Sequence, residues 1–194
     1  MHKTVIIILA AGESSRMKEP KQLLPFKEKT FLTHTIDEAT KSGMQTILVL
    51  GANELSIKKQ LRNVSAAIVY NQNWQEGISS SIKAGLNSAL EKNNQIESCI
   101  FCVCDQPYIS ADIFLQLTDK KHTSGKKIIA CPYAETIGTP VLFDKKYFNA
   151  LMNLQSDEGA KKLLSLYKDD VDFIPFEKGE FDIDTEADYN KLIK

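Results

Sequence analysis

The sequence predicts an α/β fold in which a mostly parallel sheet is flanked by helices, and it predicts that residues 1–194 form a single domain. Short strand-like runs alternate with helical patterns along the whole chain, which is the order typical of such folds. The first run, Val5–Leu9, is apolar throughout, as expected for a strand that is covered on both faces. The 194 residues are enough to bury one such core, and the sequence contains no repeat or long linker.

The predicted strands are short apolar stretches bounded by polar or small residues: Thr4–Leu9, Thr46–Leu50, Ala66–Tyr70, Ser98–Cys104, Lys127–Cys131 and Val171–Phe176. The predicted helices carry apolar residues at helical spacing: Phe31–Lys41, Leu55–Leu61, Ile78–Glu91, Ala111–Lys121, Lys145–Leu154, Ala160–Tyr167 and Glu186–Ile193. Gly43 and Gly125 stand where two helices are expected to end, and Ser110 is a candidate N-cap for the helix that follows it.

The composition is that of an ordinary globular chain, with 43% hydrophobic and 25% charged residues. The 24 basic residues nearly balance the 25 acidic ones, which argues against a nucleic acid as partner. The apolar start is too short to span a bilayer and lacks the cleavage pattern of a signal peptide. We therefore expect a cytoplasmic protein with no membrane partner.

The spacing of Cys99, Cys102 and Cys104 is similar to that of a metal or redox motif, but the predicted strand argues against that function. Residues three apart on a strand point to opposite faces, so Cys99 and Cys102 cannot share a metal or form a disulfide. Cys102 and Cys104 share a face that only Cys131 would join. We predict buried free thiols at all these positions.

The loop after the first strand is the most informative stretch, and it reads Leu-Ala-Ala-Gly-Glu-Ser-Ser-Arg-Met-Lys-Glu-Pro-Lys-Gln-Leu-Leu-Pro-Phe over residues 9–26. Small residues after a buried strand let the backbone approach a ligand, and free amide groups can then point at an anion. Arg16 and Lys21 add two positive charges, so we predict a triphosphate site. The residues predicted to bind the nucleotide there are Leu9, Ala10, Ala11, Gly12, Arg16 and Lys21. The spacing matches neither a P-loop nor G-x-G-x-x-G, and the absence of the latter argues against a nicotinamide-dependent oxidoreductase.

This loop resembles the L-A-A-G-x-S-x-R-M-(x)n-K-x-L-L-P opening of nucleotidyltransferases, which transfer a nucleoside monophosphate from a nucleoside triphosphate. The resemblance extends over roughly the whole chain, as later segments indicate. It implies a Rossmann-like fold of the nucleotide-diphospho-sugar transferase type, and it implies Lys21, Arg16 and Asp105 as the catalytic residues.

Three carboxylates are candidate metal ligands. Asp105 follows the predicted strand Ser98–Cys104, at the sheet edge where ligands bind in such folds, and a turn-forming role is its alternative. Asp182 and Asp184 lie on one face of an extended segment that precedes Thr185, a candidate cap for the last helix. The family has a similar D-x-D-T-P-E-D segment. The resemblance implies a Mg²⁺ site formed by Asp105 with Asp182 or Asp184, and the choice between the last two stays open.

Residues 71–81 also follow a predicted strand, and a glycine and three serines open the next helix, an arrangement that can bind polar groups. This segment resembles the N-x-x-W-x-x-G-[IM]-[SA]-x-S stretch of the branch that makes molybdenum cofactor dinucleotides, where it lies near the base and ribose. The resemblance implies that the following residues contact the nucleotide: Asn71, Gly77, Ser79 and Ser81, together with Asp105 of the later segment. The alternative is serine capping of the helix, with Trp74 as a packing anchor.

Two further segments resemble the family's G-H-P-V-L-F and G-D-x-G-A-R-x-L-L motifs, at residues 137–143 and 156–164. Thr139 stands where histidine is usual and Ser156 where glycine is usual, while Lys18 replaces the glycine that normally follows Arg-Met. The first two positions belong to segments that line the acceptor side in the family. These departures therefore bear on the acceptor and leave the triphosphate chemistry unchanged.

Taken together, the motifs resemble the cytidylyltransferase branch of the MobA-like NTP transferase family. The resemblance implies Mg²⁺-dependent transfer of CMP from CTP to a phosphorylated pterin acceptor, molybdopterin, with release of pyrophosphate. A molybdoenzyme apo-protein is a further candidate partner. Two alternatives remain: a sugar- or polyol-phosphate nucleotidyltransferase of the same superfamily, and a nucleotide-binding accessory protein of the molybdenum cofactor that has no turnover.

Overall fold

The fold is built on one large mixed sheet. The computed structural model describes residues 3–14, 17, 19–61, 64–133 and 136–193. Its strands in chain order are β1 (Thr4–Ala10), β2 (Pro25–Phe26), β3 (Lys29–Thr30), β4 (Gln45–Leu50), β5 (Ala67–Tyr70), β6 (Ser98–Val103), β7 (Ile128–Tyr133), β8 (Thr136–Asp144) and β9 (Val171–Phe173). Seven strands form the sheet in the order β5-β4-β1-β6-β8-β7-β9, and among these described strands only β8 runs antiparallel to its neighbours. The predicted α/β fold with a mostly parallel sheet is confirmed.

The helices lie between the strands, as the alternating pattern predicts. They are α1 (Phe31–Lys41), α2 (Glu54–Gln60), α3 (Ile78–Lys92), α4 (Ala111–Ser124), α5 (Phe148–Met152), α6 (Lys161–Leu166) and α7 (Glu186–Leu192). The helices α5 and α6 are shorter than predicted, and in α5 the reason is that the first turn, Lys145–Tyr147, is a 3₁₀ helix. Strand β8 was not predicted, since its glycine and proline are unusual in a central strand.

The start of α4 depends on a tertiary contact. Ser110 occupies the N-cap position as predicted, but its side chain makes no capping hydrogen bond. Instead, the Glu38 carboxylate of α1 accepts a hydrogen bond from the Ala111 backbone N–H at 3.0 Å. A carboxylate at a helix N-terminus also interacts favourably with the helix dipole. The predicted helix ends are confirmed at Gly43 and Gly125, whose φ angles are 76° and 72°.

Two apolar clusters cover the two faces of the sheet. Alternate β1 residues point into opposite clusters, so that Ile7 joins the side packed by α3 and Ile8 the side packed by α1 and α4. The same alternation on β6 places Cys99 in the first cluster and Cys102 in the second, as predicted. No described helix is both long and apolar enough to cross a bilayer.

The sheet brings two loops together at one edge. Strands β1 and β6 are parallel neighbours, and Leu9 is in register with Val103 near their carboxyl ends. The loop after β1 and the loop after β6 therefore start side by side. Ligands of open α/β sheets bind at this edge.

We expect all four cysteines to be free thiols that hold no metal. Each is buried and unpaired, and burial raises the pKa of Cys104 and Cys131 to about 12, which disfavours the reactive thiolate. A thiol reagent should react slowly with the native protein and fully after denaturation. Stoichiometric zinc by elemental analysis of the purified protein would contradict this prediction.

Candidate active site

Gln22 holds the loop that follows β1. Its side chain is only 1% exposed, and its Nε2 donates to the carbonyl oxygens of Ala10 at 3.2 Å and Gly12 at 3.0 Å. Its Oε1 accepts from the Ser14 hydroxyl at 3.2 Å, and the Ser14 oxygen in turn accepts from the Lys21 backbone N–H at 3.1 Å. One buried amide thus fixes the backbone of the predicted triphosphate loop. This role of Gln22 could not be predicted, because its neighbours in sequence do not distinguish it from an exposed glutamine.

Lys21 joins three segments at the end of the sheet. Its ammonium group donates to Asp105 Oδ2 and, at 3.2 Å, to Asp184 Oδ1. Burial disfavours the charged lysine, but the charge and hydrogen bond of Asp105 outweigh this effect and raise the pKa of Lys21. Lys21 therefore stays protonated and holds the β1 loop, the β6 loop and the C-terminal segment together.

Three carboxylates, those of Asp105, Asp182 and Asp184, lie close together at this end of the sheet. Partial burial and the charges of Asp105 and Asp184 raise the pKa of Asp182. Asp105 Oδ1 is buried and has no hydrogen-bond partner in the part of the chain that the structure describes. A buried carboxylate oxygen of this kind requires an explanation, and a bound cation is one.

The donor set fits Mg²⁺ better than a metal enclosed by protein ligands alone. Among the described residues, no group of three or more His, Cys, Asp or Glu side chains is placed to hold a metal ion. Mg²⁺ is commonly held by one or two carboxylates and takes its remaining ligands from water and substrate phosphates. Asp105 with one further aspartate meets that requirement.

The C-terminal segment is fixed on both sides of Asp184. The Ile183 backbone N–H donates to the Asp105 carbonyl oxygen at 3.1 Å. Thr185 caps α7 in a reciprocal arrangement with Asp188, which confirms the predicted cap. The segment therefore brings Asp182 and Asp184 to the edge where β6 ends.

A cavity of about 390 Å³ opens beside this cluster. Eight of the ten described residues predicted to bind the nucleotide line it: Leu9, Ala10, Ala11, Gly12, Lys21, Gly77, Ser81 and Asp105. The lining residues that the sequence analysis did not single out as nucleotide-binding are Glu13, Gln22, Trp74, Gln75, Ile78, Val103, Cys104 and Asp157. Arg16, the second predicted cation, lies outside the described residues.

Asn71 and Ser79, also predicted to contact the nucleotide, are not among the residues that line the cavity. The buried Asn71 amide donates to the hydroxyl oxygens of Ser80 at 2.8 Å and Ser81 at 3.0 Å, so it attaches the loop to the start of α3. Ser79 is 2% exposed, and its backbone N–H donates to the Ser156 carbonyl at 3.2 Å. Both residues shape the loop from within.

Gly77 lets this loop approach residues 156–157. Its φ of 92° is a conformation that favours glycine, and a Cβ at this position would lie 2.6 Å from the Ser156 carbonyl oxygen. The close contact places Asp157 beside the cavity.

A second cavity of about 480 Å³ adjoins the first and shares Asp105 with it. Apolar residues such as Leu9 and Val141 line much of it, together with the polar side chains of Gln106, Tyr133 and Thr139. Asp182 lines this cavity as well. The carboxylate cluster therefore lies at the boundary between two cavities.

Comparison with known proteins agrees with the fold and the motifs. The MobA-like NTP transferase domain matches residues 6–171, so the chain belongs to this family. Molybdenum cofactor cytidylyltransferase of Escherichia coli (strain K12) is 32% identical over 57% of this chain and 56% of its own length. Nicotine blue oxidoreductase of Paenarthrobacter nicotinovorans is 31% identical over 54% of this chain and 50% of its own. A probable molybdenum cofactor guanylyltransferase of Rhodopirellula baltica is 30% identical over 63% of this chain and 58% of its own length.

The chain spans about half the length of these curated relatives, whereas it matches solved structures along nearly their full length. The crystal structure of Rv0371c from Mycobacterium tuberculosis H37Rv has a TM-score of 0.82 and 28% identity, covering 97% of this chain and 96% of that one. A manganese complex of Rv0371c has a TM-score of 0.78, with 27% identity over 97% of each chain.

Replacing Gln22 with alanine is expected to lower the free energy of unfolding by about 1–3 kcal/mol, because two loop carbonyls lose their buried donor. Gln72→Ala is the matched control at an exposed position, with an expected change within about 0.5 kcal/mol. Urea unfolding of the parent and both variants measures the difference. Equal stability of the two variants would show that Gln22 does not hold the loop.

Proposed function

We propose that this chain is a nucleotidyltransferase that transfers CMP from CTP to a phosphorylated pterin acceptor, with molybdopterin as the candidate. The observation that carries the proposal is the position of Asp105, which lines both cavities and is bound by Lys21, itself also bound to Asp184. A reaction between two substrates needs such a boundary, where each substrate is held in its own cavity and the reacting groups meet. Membership of the MobA-like NTP transferase family supports the same reaction class.

The proposed reaction needs positioning and positive charge more than proton transfer. An oxygen of the acceptor phosphate attacks the α-phosphorus of CTP and forms a new P–O bond. The bond between the α-phosphorus and the oxygen that bridges to the β-phosphate breaks, and pyrophosphate leaves with that electron pair. Because the acceptor phosphate is already an anion near neutral pH, no general base is required. Fixed charges aimed at the phosphates supply the stabilisation.

Lys21 is the described residue best placed to supply such a charge. Asp105 keeps it protonated, and its side chain lines the first cavity beside the Ala10–Gly12 backbone. Gln22 binds the carbonyl oxygens of Ala10 and Gly12, so this short stretch of backbone is held in place by the protein itself. Arg16 stays a predicted second cation for the departing pyrophosphate.

Asp105, with Asp182 or Asp184, is proposed to hold Mg²⁺. When bound, the ion neutralises charge on the phosphate oxygens of the two substrates. The unpartnered Asp105 Oδ1 and the raised pKa of Asp182 support this, because a cation would satisfy the first and offset the repulsion behind the second. The manganese complex of the M. tuberculosis protein agrees with a divalent ion in this fold.

The second cavity is proposed to take the acceptor. Its apolar walls suit a flat heterocycle, while Tyr133 and Thr139 place hydroxyl groups among them. Its contact with Asp105 and Asp182 would place an acceptor phosphate against the carboxylate cluster.

The direct test of the function combines the protein with CTP, MgCl₂ and molybdopterin. We expect equimolar pyrophosphate and cytosine dinucleotide, identified by a coupled pyrophosphate assay and mass spectrometry. Nucleotide binding without pyrophosphate release would favour the accessory-protein alternative. Reduction of a substrate by NADH or NADPH, with no pyrophosphate release, would contradict nucleotidyl transfer.

Lys21→Ala is expected to lower kcat/KM by at least roughly 100-fold, which is typical of losing a group that stabilises transition-state charge. Lys29→Ala is the control, since it removes the same charge from an exposed ion pair with Asp37. Steady-state kinetics of the two variants measure the contrast. Turnover of Lys21→Ala within about twofold of the parent would remove Lys21 from the site.

Asp105→Asn is expected to abolish Mg²⁺-dependent turnover while the melting temperature changes little. The asparagine keeps the shape of the side chain, and Lys21 retains Asp184 at 3.2 Å. Thermal unfolding and turnover are measured on the same preparation. A large loss of stability with normal turnover per folded molecule would make Asp105 a structural residue.

CTP is expected to be preferred over GTP and ATP. In the family, the cytosine-using branch reads Ala-Ala-Gly in the first loop, as Ala10–Gly12 does, where the guanine-using branch usually reads Ala-Gly-Gly. The methyl group of the buried Ala11 narrows the cavity, which suits a pyrimidine. Competition among the three nucleotides with the same acceptor measures the preference. Equal or better use of GTP would contradict cytidylyl transfer and leave nucleotidyl transfer standing.

A further inference from the structure

Gln106 is a buried polar side chain next to the carboxylate cluster, and the proposed chemistry gives it no direct role. It is 2% exposed. Its Nε2 donates to the Gly179 carbonyl oxygen at 2.9 Å and to the Tyr133 hydroxyl at 3.4 Å. Its Oε1 accepts from the Thr139 hydroxyl at 3.3 Å. One amide therefore connects the β6 loop, the β7–β8 pair and the C-terminal segment.

The contact with Gly179 bears directly on the carboxylates. Gly179 lies in the 3₁₀ turn Glu177–Glu180, which leads into Asp182 and Asp184. The turn packs tightly, since a Cβ at position 179 would lie 2.5 Å from the Tyr133 ring. Together with the bond from the Ile183 N–H to the Asp105 carbonyl, the Gln106 bond holds the segment on both sides of Asp182.

The Gly179 carbonyl sets the direction in which the Gln106 amide points, and Thr139 anchors the other end of the amide. A primary amide has one acceptor end and one donor end. Because a carbonyl oxygen can only accept, the donor end faces Gly179, and the acceptor end takes the hydrogen bond that the Thr139 hydroxyl donates. Thr139 also lines the second cavity, so a residue of the proposed acceptor site anchors the side chain that holds the C-terminal carboxylates.

We propose that Gln106 is a positioning residue, anchored by Thr139, that holds Asp182 and Asp184 against Asp105. The proposal rests on the proposed function, because the position of these carboxylates matters to the reaction only if they hold the cation. Hydrogen bonds from neighbouring groups that orient the metal-binding residues raise the affinity for the metal. Gln106 acts on these ligands through the backbone of their segment.

The test uses pairs of matched variants of the full chain. Gln106→Met keeps the length of the side chain and removes its hydrogen bonds. Thr139→Val keeps the shape and removes the hydroxyl, whereas Thr139→Ser keeps the hydroxyl. Thr118→Val removes a hydroxyl that donates to a backbone carbonyl on the exposed face of α4, so it controls for the chemistry of the substitution.

Two measurements decide the proposal: amide hydrogen exchange of residues 179–184 without metal, and affinity for Mn²⁺ alone by electron paramagnetic resonance. Gln106→Met and Thr139→Val should speed exchange at Ile183 by about tenfold or more, because the local opening of the segment costs less. Both variants should weaken Mn²⁺ binding by roughly tenfold, which is typical of losing a hydrogen bond that orients the metal-binding residues. Thr139→Ser and Thr118→Val should behave like the parent.

Unchanged exchange at Ile183 together with unchanged Mn²⁺ affinity in Gln106→Met and Thr139→Val would overturn the proposal. If Ile183 exchanged as fast in Thr139→Ser as in Thr139→Val, the proposal would also be overturned. The hydroxyl that serine keeps would then have no role. A parent protein that binds no Mn²⁺ would contradict the proposed function instead. The exchange measurement needs no metal, so it still decides whether Gln106 positions the segment.

Discussion

The ion pair between Lys21 and Asp105 is the interaction on which the rest of the site depends. The two side chains are 22% and 13% exposed, and the Lys21 ammonium has a second partner in Asp184 at 3.2 Å. Their positions follow from the sheet, because β1 and β6 are hydrogen-bonded neighbours whose carboxyl ends are in register. The pair costs desolvation, so it contributes little net stability, but it fixes where a positive and a negative group meet.

The remaining parts of the site are arranged around this pair. Gln22 fixes the loop that precedes Lys21, and the residue after Asp105, Gln106, binds the segment that carries the other two aspartates. The two cavities meet at Asp105, so a nucleotide in one and an acceptor in the other would bring their phosphates together there. The side chains of Gln22 and Gln106 are held by buried hydrogen bonds, which limits the rearrangement that substrate binding would require.

Patterns that depend on local chemistry could be predicted from the sequence. The apolar run of β1, the alternation that separates Cys99 from Cys102, and the cap at Thr185 follow from strand and helix geometry. Hydrogen bonds between distant segments could not be predicted. Asn71 matches a nucleotide-contacting motif, yet its amide binds two serine hydroxyls, and Gln22 carries no sequence signal of its burial. Strand β8 was missed for a similar reason, because pairing on both sides with β6 and β7 outweighs the low strand preference of its glycine and proline.

The central claim is that the end of the sheet at Asp105 is the place where a metal and a nucleotide triphosphate meet. A crystal structure with Mn²⁺ and a non-hydrolysable CTP analogue tests it most directly, since manganese is located by its anomalous scattering. We expect the manganese peak within coordination distance of Asp105 Oδ1 and of Asp182 or Asp184, with the triphosphate along Ala10–Gly12 and Lys21. A nucleotide bound elsewhere, or a manganese peak away from Asp105, would contradict the account.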